Sequence, residues 1–167
     1  MRIGTIALGL ALLGSTALAQ TAPQPDPEAA RRMAEMRAAD AKRPDSVGTG
    51  PYAAIKEADP GLPDHTVYRP ADLSKLNGKK LGVVIWGNGG CAADGASARH
   101  HLAQIASYGY LVIAPGKIYS GPGALPRPAA AAPRGVDPAT GQLPPPATRA
   151  QDVLKGLDWA LAENGRS

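Results

Sequence analysis

Gly87-Asn88-Gly89-Gly90-Cys91-Ala92 is the stretch whose residue types and spacing best suit chemistry. A glycine-rich turn between a strand and a helix turns backbone N–H groups toward a ligand, because no side chain blocks the approach and φ can become positive. Such donors suit either a phosphate or the oxyanion of an acyl-transfer intermediate. Gly87, Gly89 and Ala92 satisfy G-x-G-x-x-[G/A], the dinucleotide fingerprint. That fingerprint also needs an acidic residue roughly 20 positions on, to hold the ribose. The chain has no Asp or Glu between Asp94 and Asp137, so the dinucleotide reading fails and no cofactor is expected. An oxyanion loop remains, beside the simpler alternative of a turn that only reverses the chain.

An oxyanion loop needs a nucleophile and a base. Gly95-Ala96-Ser97-Ala98-Arg99 matches half of the G-x-S-x-G nucleophile turn, but it opens a helix, which makes Ser97 a cap or surface residue. Gly165-Arg166-Ser167 has no strand before it, and Ser15, Ser46, Ser74, Ser107 and Ser120 lie in no such motif. Nucleophile, acid and base are all unassigned. His100 and His101 are adjacent, so on a helix they point about 100° apart and do not easily share an ion; no metal is expected. His65 reads as structural or exposed. Cys91 is the one cysteine, which excludes an internal disulfide scaffold and a cysteine-built zinc site.

The elements that must position the loop show as runs along the chain. His65-Thr66-Val67-Tyr68-Arg69-Pro70 is a short β-branched and aromatic segment and reads as an edge strand. Leu81 to Trp86 is a continuous apolar run without alternation, which predicts a strand buried on both faces. Ala96 to Tyr108 predicts a helix with Leu102, Ile105 and Ala106 on one face, stopped by Gly109. Tyr110 to Ala114 is a second buried strand. Strand, helix and strand at this spacing form a parallel βαβ unit, right-handed by the usual rule, with an apolar sheet edge left beyond Leu111 to Ala114. Residues 121–146 hold eight prolines and read as an insertion, either a lid or disordered chain, with disorder favoured by the lack of bulky apolar residues. Thr148 to Glu163 resumes as an amphipathic helix with Val153, Leu154, Leu157 and Leu161 inward.

Three quoted segments together carry a family resemblance: His65 to Pro70, Val83-Val84-Ile85-Trp86-Gly87-Asn88-Gly89-Gly90-Cys91, and Ile105 to Ala114. They resemble the N-terminal half of secreted α/β-hydrolases of the esterase/dienelactone-hydrolase-like kind. The helix ending Leu157-Asp158-Trp159-Ala160 looks like the one before the family's nucleophile strand. The resemblance covers about Pro51 to Glu163 and implies a three-layer αβα α/β-hydrolase fold, incomplete here, with only the first strands and helices of the sheet. It implies that the backbone N–H of Asn88 or Gly89 faces the oxyanion, with Gly90 allowing close approach. Relatives often carry a Cys beside the nucleophile, which implies a disulfide from Cys91 to a part outside this chain. The activity implied is hydrolysis of small carboxylic esters by an intact parent; this chain, without a triad, is expected to be inactive alone.

Before this region lies an address. Arg2, the apolar run Ile3 to Leu13 and Ala17-Leu18-Ala19 are the three parts of a secretory signal peptide, with cleavage after Ala19 and export to the periplasm or medium. The apolar run is too short for a stable membrane anchor, since a span needs about 20 residues. Residues 20–50 form a Pro/Ala-rich leader: Asp26-Pro27 starts a helix over Glu28 to Lys42, read as solvated, and Asp45 to Pro51 is a linker. The 167 residues hold Gly 20, Pro 17 and no Phe, which leaves few large side chains for a core. A net charge of +4 with both signs interspersed gives no case for nucleic acid. The rival reading is a complete, non-enzymatic exported α/β binding or adaptor protein whose Leu143-Pro144-Pro145-Pro146 serves as a polyproline ligand.

Overall fold

A computed structural model of the chain describes residues 26–128, 140–142 and 145–164. The expected signal peptide 1–19, the alanine run 129–132, Leu143-Pro144 and Gly165-Arg166-Ser167 lie outside the described residues. The elements run α1 (Pro27–Lys42), β1 (Ala54–Glu57), β2 (His65–Pro70), β3 (Gly82–Ile85), α2 (Arg99–Ala106), β4 (Tyr110–Pro115) and α3 (Ala150–Asn164).

The four strands form one mixed sheet in the order β1-β2-β4-β3. β1–β2 and β2–β4 are antiparallel, and β3–β4 is the parallel pair that the βαβ pattern requires. Successive side chains of a strand point to opposite faces, and β4 uses both. Val112 and Ala114 pack with Tyr68 under Leu102, Ala103 and Ala106 of α2. Ile113 packs with Val67 and Leu62 under Ala160 of α3. The sheet therefore has a helix on each face, an α/β arrangement in three layers.

The order corrects the expected edges. β2 is internal, and β4 is the central strand. β1 stands at one edge of the sheet and β3 at the other, and the run 81–86 is not buried on both faces: Gly82 and Val83 are exposed, and Val84 and Ile85 are half-buried. An apolar run without alternation needs cover on both faces and a neighbour on both edges, and β3 has a neighbour only at β4. β1 is an addition to the expected strands. Ala54-Ile55-Lys56-Glu57 has no strand signature, and it is held by pairing with β2, where Arg69 makes a two-pronged ion pair to Glu57 at 2.6 and 3.1 Å.

Two segments expected to be loose are packed. The linker 45–51 lies along the end of α2: Gly50 N–H donates to Ser107 Oγ at 2.9 Å, Tyr52 N–H to Ser107 O at 3.0 Å, and Thr49 pairs with Gln104. The front of the proline-rich stretch, 121–128, is also ordered, with Gly121 buried against Arg99 and Leu125 N–H donating to Ile118 O. Long-range polar contacts hold both, and local composition does not encode such contacts.

α3 turns inward a face that only partly overlaps the one expected: of the four residues expected there, Val153 and Leu157 are half-buried. Gly156 and Ala160 are buried, whereas Leu154 and Leu161 are 57 % and 59 % exposed. Helix and sheet approach closely at Gly156, where an added Cβ would lie 2.9 Å from Ile113 Cγ2. His65 is buried at the same contact and donates from Nε2 to Asp152 O at 2.7 Å, so it is structural. Gly156→Leu should gain about 1 kcal/mol of helix propensity but lose about 1–3 kcal/mol to overpacking against β-branched Ile113. A net fall in stability is expected, read as a lower urea midpoint.

Candidate functional site

The loop after β3 is built by its backbone and one side chain. Trp86 N–H continues the parallel ladder to Ile113 O at 2.8 Å, and the chain then leaves the sheet. Asn88 locks the loop in place: its Nδ2 donates to Ala92 O at 2.8 Å and to Pro115 O, at the end of β4, at 2.6 Å. Flipping the amide would set its oxygen against two carbonyls, so the orientation is forced. Asn88 Oδ1 is left buried without a partner. A 3-10 turn over Gly89–Cys91 comes next, with Gly90 at φ 63° and Cys91 at φ 50° in the left-handed region. Gly90 is suited to that conformation; Cys91 is an uncommon residue there.

The donors divide into two groups. Cys91 and Ala92 N–H return to Asn88 O and Gly89 O at 3.2 and 3.4 Å. The N–H groups of Asn88, Gly89 and Gly90 have no acceptor among the described residues. The family resemblance points to the same three residues. No atom lies within 4 Å of where a Cβ would stand on Gly87, Gly89 or Gly90. Packing within the chain therefore does not demand glycine at 89. Cys91 is exposed and free, and Thr148 N–H donates to its carbonyl at 3.0 Å, which ties the start of α3 to the loop.

Asp94 anchors the far side of the loop, and in the sequence it stands out only as the last acid before a gap. It is buried and accepts from Ala96 N–H, Tyr119 N–H, Ser120 Oγ–H and Arg127 Nη2–H. Arg127 also lies over the Tyr119 ring, 5.9 Å from its centroid. Only the fold brings residues 33 positions apart together, so no local signal marks the pair. Behind it, Gly95 N–H donates to Lys117 O at 3.1 Å, and a Cβ on Gly116 (φ 101°) would stand 2.3 Å from the Ala93 backbone. Burial pushes the Tyr68 phenol well above its ordinary range, and its O–H donates to Gly95 O at 2.9 Å.

Beside the loop opens a groove of about 920 Å³. Gly89 and Ala92 form its floor, Tyr119 to Arg127 one side, and α1 the other, through Met33, Met36 and Arg37. The expectation of a solvated α1 is corrected in part. The helix has no buried residue, yet it is docked: Arg99, with its side chain 1 % exposed, donates to Asp40 Oδ2 and Asp40 O, both at 2.6 Å. Asp45 Oδ1 lies 3.2 Å from Arg99 Nε, and Lys56 reaches Asp45 at 2.9 Å.

The remaining candidates stay apart from this geometry. Ser97 is exposed in the turn before α2 and lines the groove. Among the described residues no serine hydroxyl is hydrogen-bonded to a histidine, and no three of His, Cys, Asp and Glu are grouped to hold a metal. His101 packs on Trp86 with ring centroids 5.4 Å apart, and His100 Nε2 stands 3.8 Å from Asp40 Oδ1. No protein-family model matches the chain, and no curated protein matches its sequence.

These contacts set two expected outcomes. Asn88→Asp should lower stability by about 2–3 kcal/mol, since it sets a carboxylate against two carbonyl oxygens it cannot satisfy; urea unfolding reads this. The hydrogen bond from Arg99 holds the Asp40 carboxyl below its ordinary value. A depressed pKa stabilises the docked helix above the unfolded value near 3.8, and the contribution fades as pH falls through the lower folded value. Amide exchange in residues 27–42 should therefore rise in strong acid, and Asp40→Asn should raise it already at pH 7.

Proposed function

We propose that residues 51–167 are the N-terminal part of an exported serine hydrolase of the α/β-hydrolase kind, acting on carboxylic esters and contributing the oxyanion loop. The observation that carries this reading is the set of N–H groups at Asn88, Gly89 and Gly90, unaccepted at the carboxyl end of a parallel strand, in a loop whose Gly89 lines a groove of ligand size. Glycine at 89, which no neighbour in the chain requires, is what close approach of a ligand to backbone would demand.

Sheet order supports the same place. In open α/β sheets, ligands bind outside the carboxyl ends of strands where successive connections diverge. The connection from β3 through α2 leads to β4 on one side, and the free edge of β3 lies on the other. A strand entering at that edge after α3 would send its own loop the opposite way. A serine at its end would meet the Asn88–Gly90 donors across the crevice. Attack on the ester carbonyl would move charge onto the carbonyl oxygen, and the N–H of Asn88 or Gly89 would hold it. Asn88 then acts through its side chain as a positioning residue, since its two bonds fix where those N–H groups point.

The reading frame beyond Ser167 tests this. An apolar strand followed by G-x-S-x-G is expected, with ester hydrolysis by the whole product that a serine-reactive phosphonate abolishes. Gly89→Pro, which deletes one N–H, should lower kcat by about 10²–10³ while leaving thermal unfolding in place. A frame that stops at Ser167, with a cooperative unfolding transition for the 167-residue chain, overturns the proposal in favour of a self-contained binding domain.

A further inference from the structure

We infer that the groove beneath α1 binds an anionic amphiphile, an apolar chain with one carboxylate-type head, and that Arg37 holds the head. The inference deepens the reading above and rests on it for the groove's place beside an oxyanion loop.

The first observation is an apolar stripe with nothing to cover. Met33 and Met36 are 47 % and 58 % exposed on a helix without a single buried residue, and both line the groove. With Arg37, Asp40 and Ala41 they follow the three- and four-residue spacing of one helix face. The helix is held by Asp40 and not by its methionines. Unbranched thioether side chains adapt to varied apolar ligands, which suits a chain lying along α1.

The second observation is a charge balance. Two carboxylates line the groove, and both are engaged. Asp40 faces Arg99 and Arg43, with His100 also near it, and Asp94 takes Arg127, Ser120 and two backbone N–H groups. On α1 itself Arg31 meets Glu35 and Arg32 meets Glu28. Arg37 has no acceptor among the described residues, and it lines the groove next to the methionines. One uncompensated guanidinium beside an apolar stripe matches one negative charge at the end of an apolar chain. A volume of about 920 Å³ is ample for such a ligand.

Calorimetric titration of the full chain with dodecanoate, below its micellar concentration, tests the inference, with dodecan-1-ol as the neutral probe. Dodecanoate should bind more tightly than the alcohol. Arg37→Gln should weaken dodecanoate roughly tenfold and leave the alcohol unchanged. Met33→Ala with Met36→Ala should weaken both probes alike. These residues are on the surface of α1, and far-ultraviolet circular dichroism will show that the variants fold. No binding of dodecanoate, equal affinity for the two probes, or unchanged affinity in Arg37→Gln each overturns the inference. Binding is read without turnover on a chain expected to be inactive alone, so these outcomes are separate from the hydrolase reading, which the frame beyond Ser167 decides.

Discussion

A guanidinium that loses its water must be met by acceptors, and Arg99 at the start of α2 is such a group. Its side chain is enclosed, and the acceptors come from far away in sequence. Asp40 arrives on α1, Asp45 stands on the segment beyond it, and Gly121 closes over the guanidinium with no room for a Cβ. Much of the molecule outside the sheet is thereby fixed relative to it. Without that charge, α1 would have only an alanine-rich and mostly exposed surface to offer the body of the protein. A helix of that kind gains little from burial, so the ion pair decides where it lies.

The groove is a product of this constraint. One wall is α1, the opposite side is the Asp94–Arg127 cluster, and the floor is the loop that Asn88 pins to the end of β4. Each of the three is held by polar contacts that span a long sequence separation. Apolar packing builds the sheet and its two facing helices; buried polar contacts shape the surface beside them. Both kinds of contact are needed for the loop to set Gly89 beside an open space.

This division explains which elements are legible in the sequence. β2 runs over the residues that its β-branched, aromatic pattern marks out, and α1 begins at the Asp26 cap with Pro27 in its first turn, because those signals are local. The strand–helix–strand unit is legible for the same reason. β1 is not, since Ala-Ile-Lys-Glu becomes a strand only by pairing with β2. The inward face of α3 is only partly legible, because its close approach to Ile113 falls at Gly156, between half-buried Val153 and Leu157, which a reading that looks for leucines passes over. At the site, Asn88, Gly89 and Gly90 stand out as a motif. Asp94, Arg127 and Arg37 have no motif to belong to, and the value of each depends on which charges the fold leaves unmatched.

The open edge of β3 has a consequence for how copies of this protein behave in solution. An unpaired strand edge is a template for adding another strand, and Gly-Val-Val-Ile would be a sticky one. Lys79 and Lys80 stand just before it, both exposed. Two copies aligned side by side in the same direction would bring their lysine pairs face to face, and like charges opposed across strands repel. The basic pair therefore disfavours a parallel β3–β3 pairing of two copies, while a strand without matching positive charge meets no such repulsion at this edge.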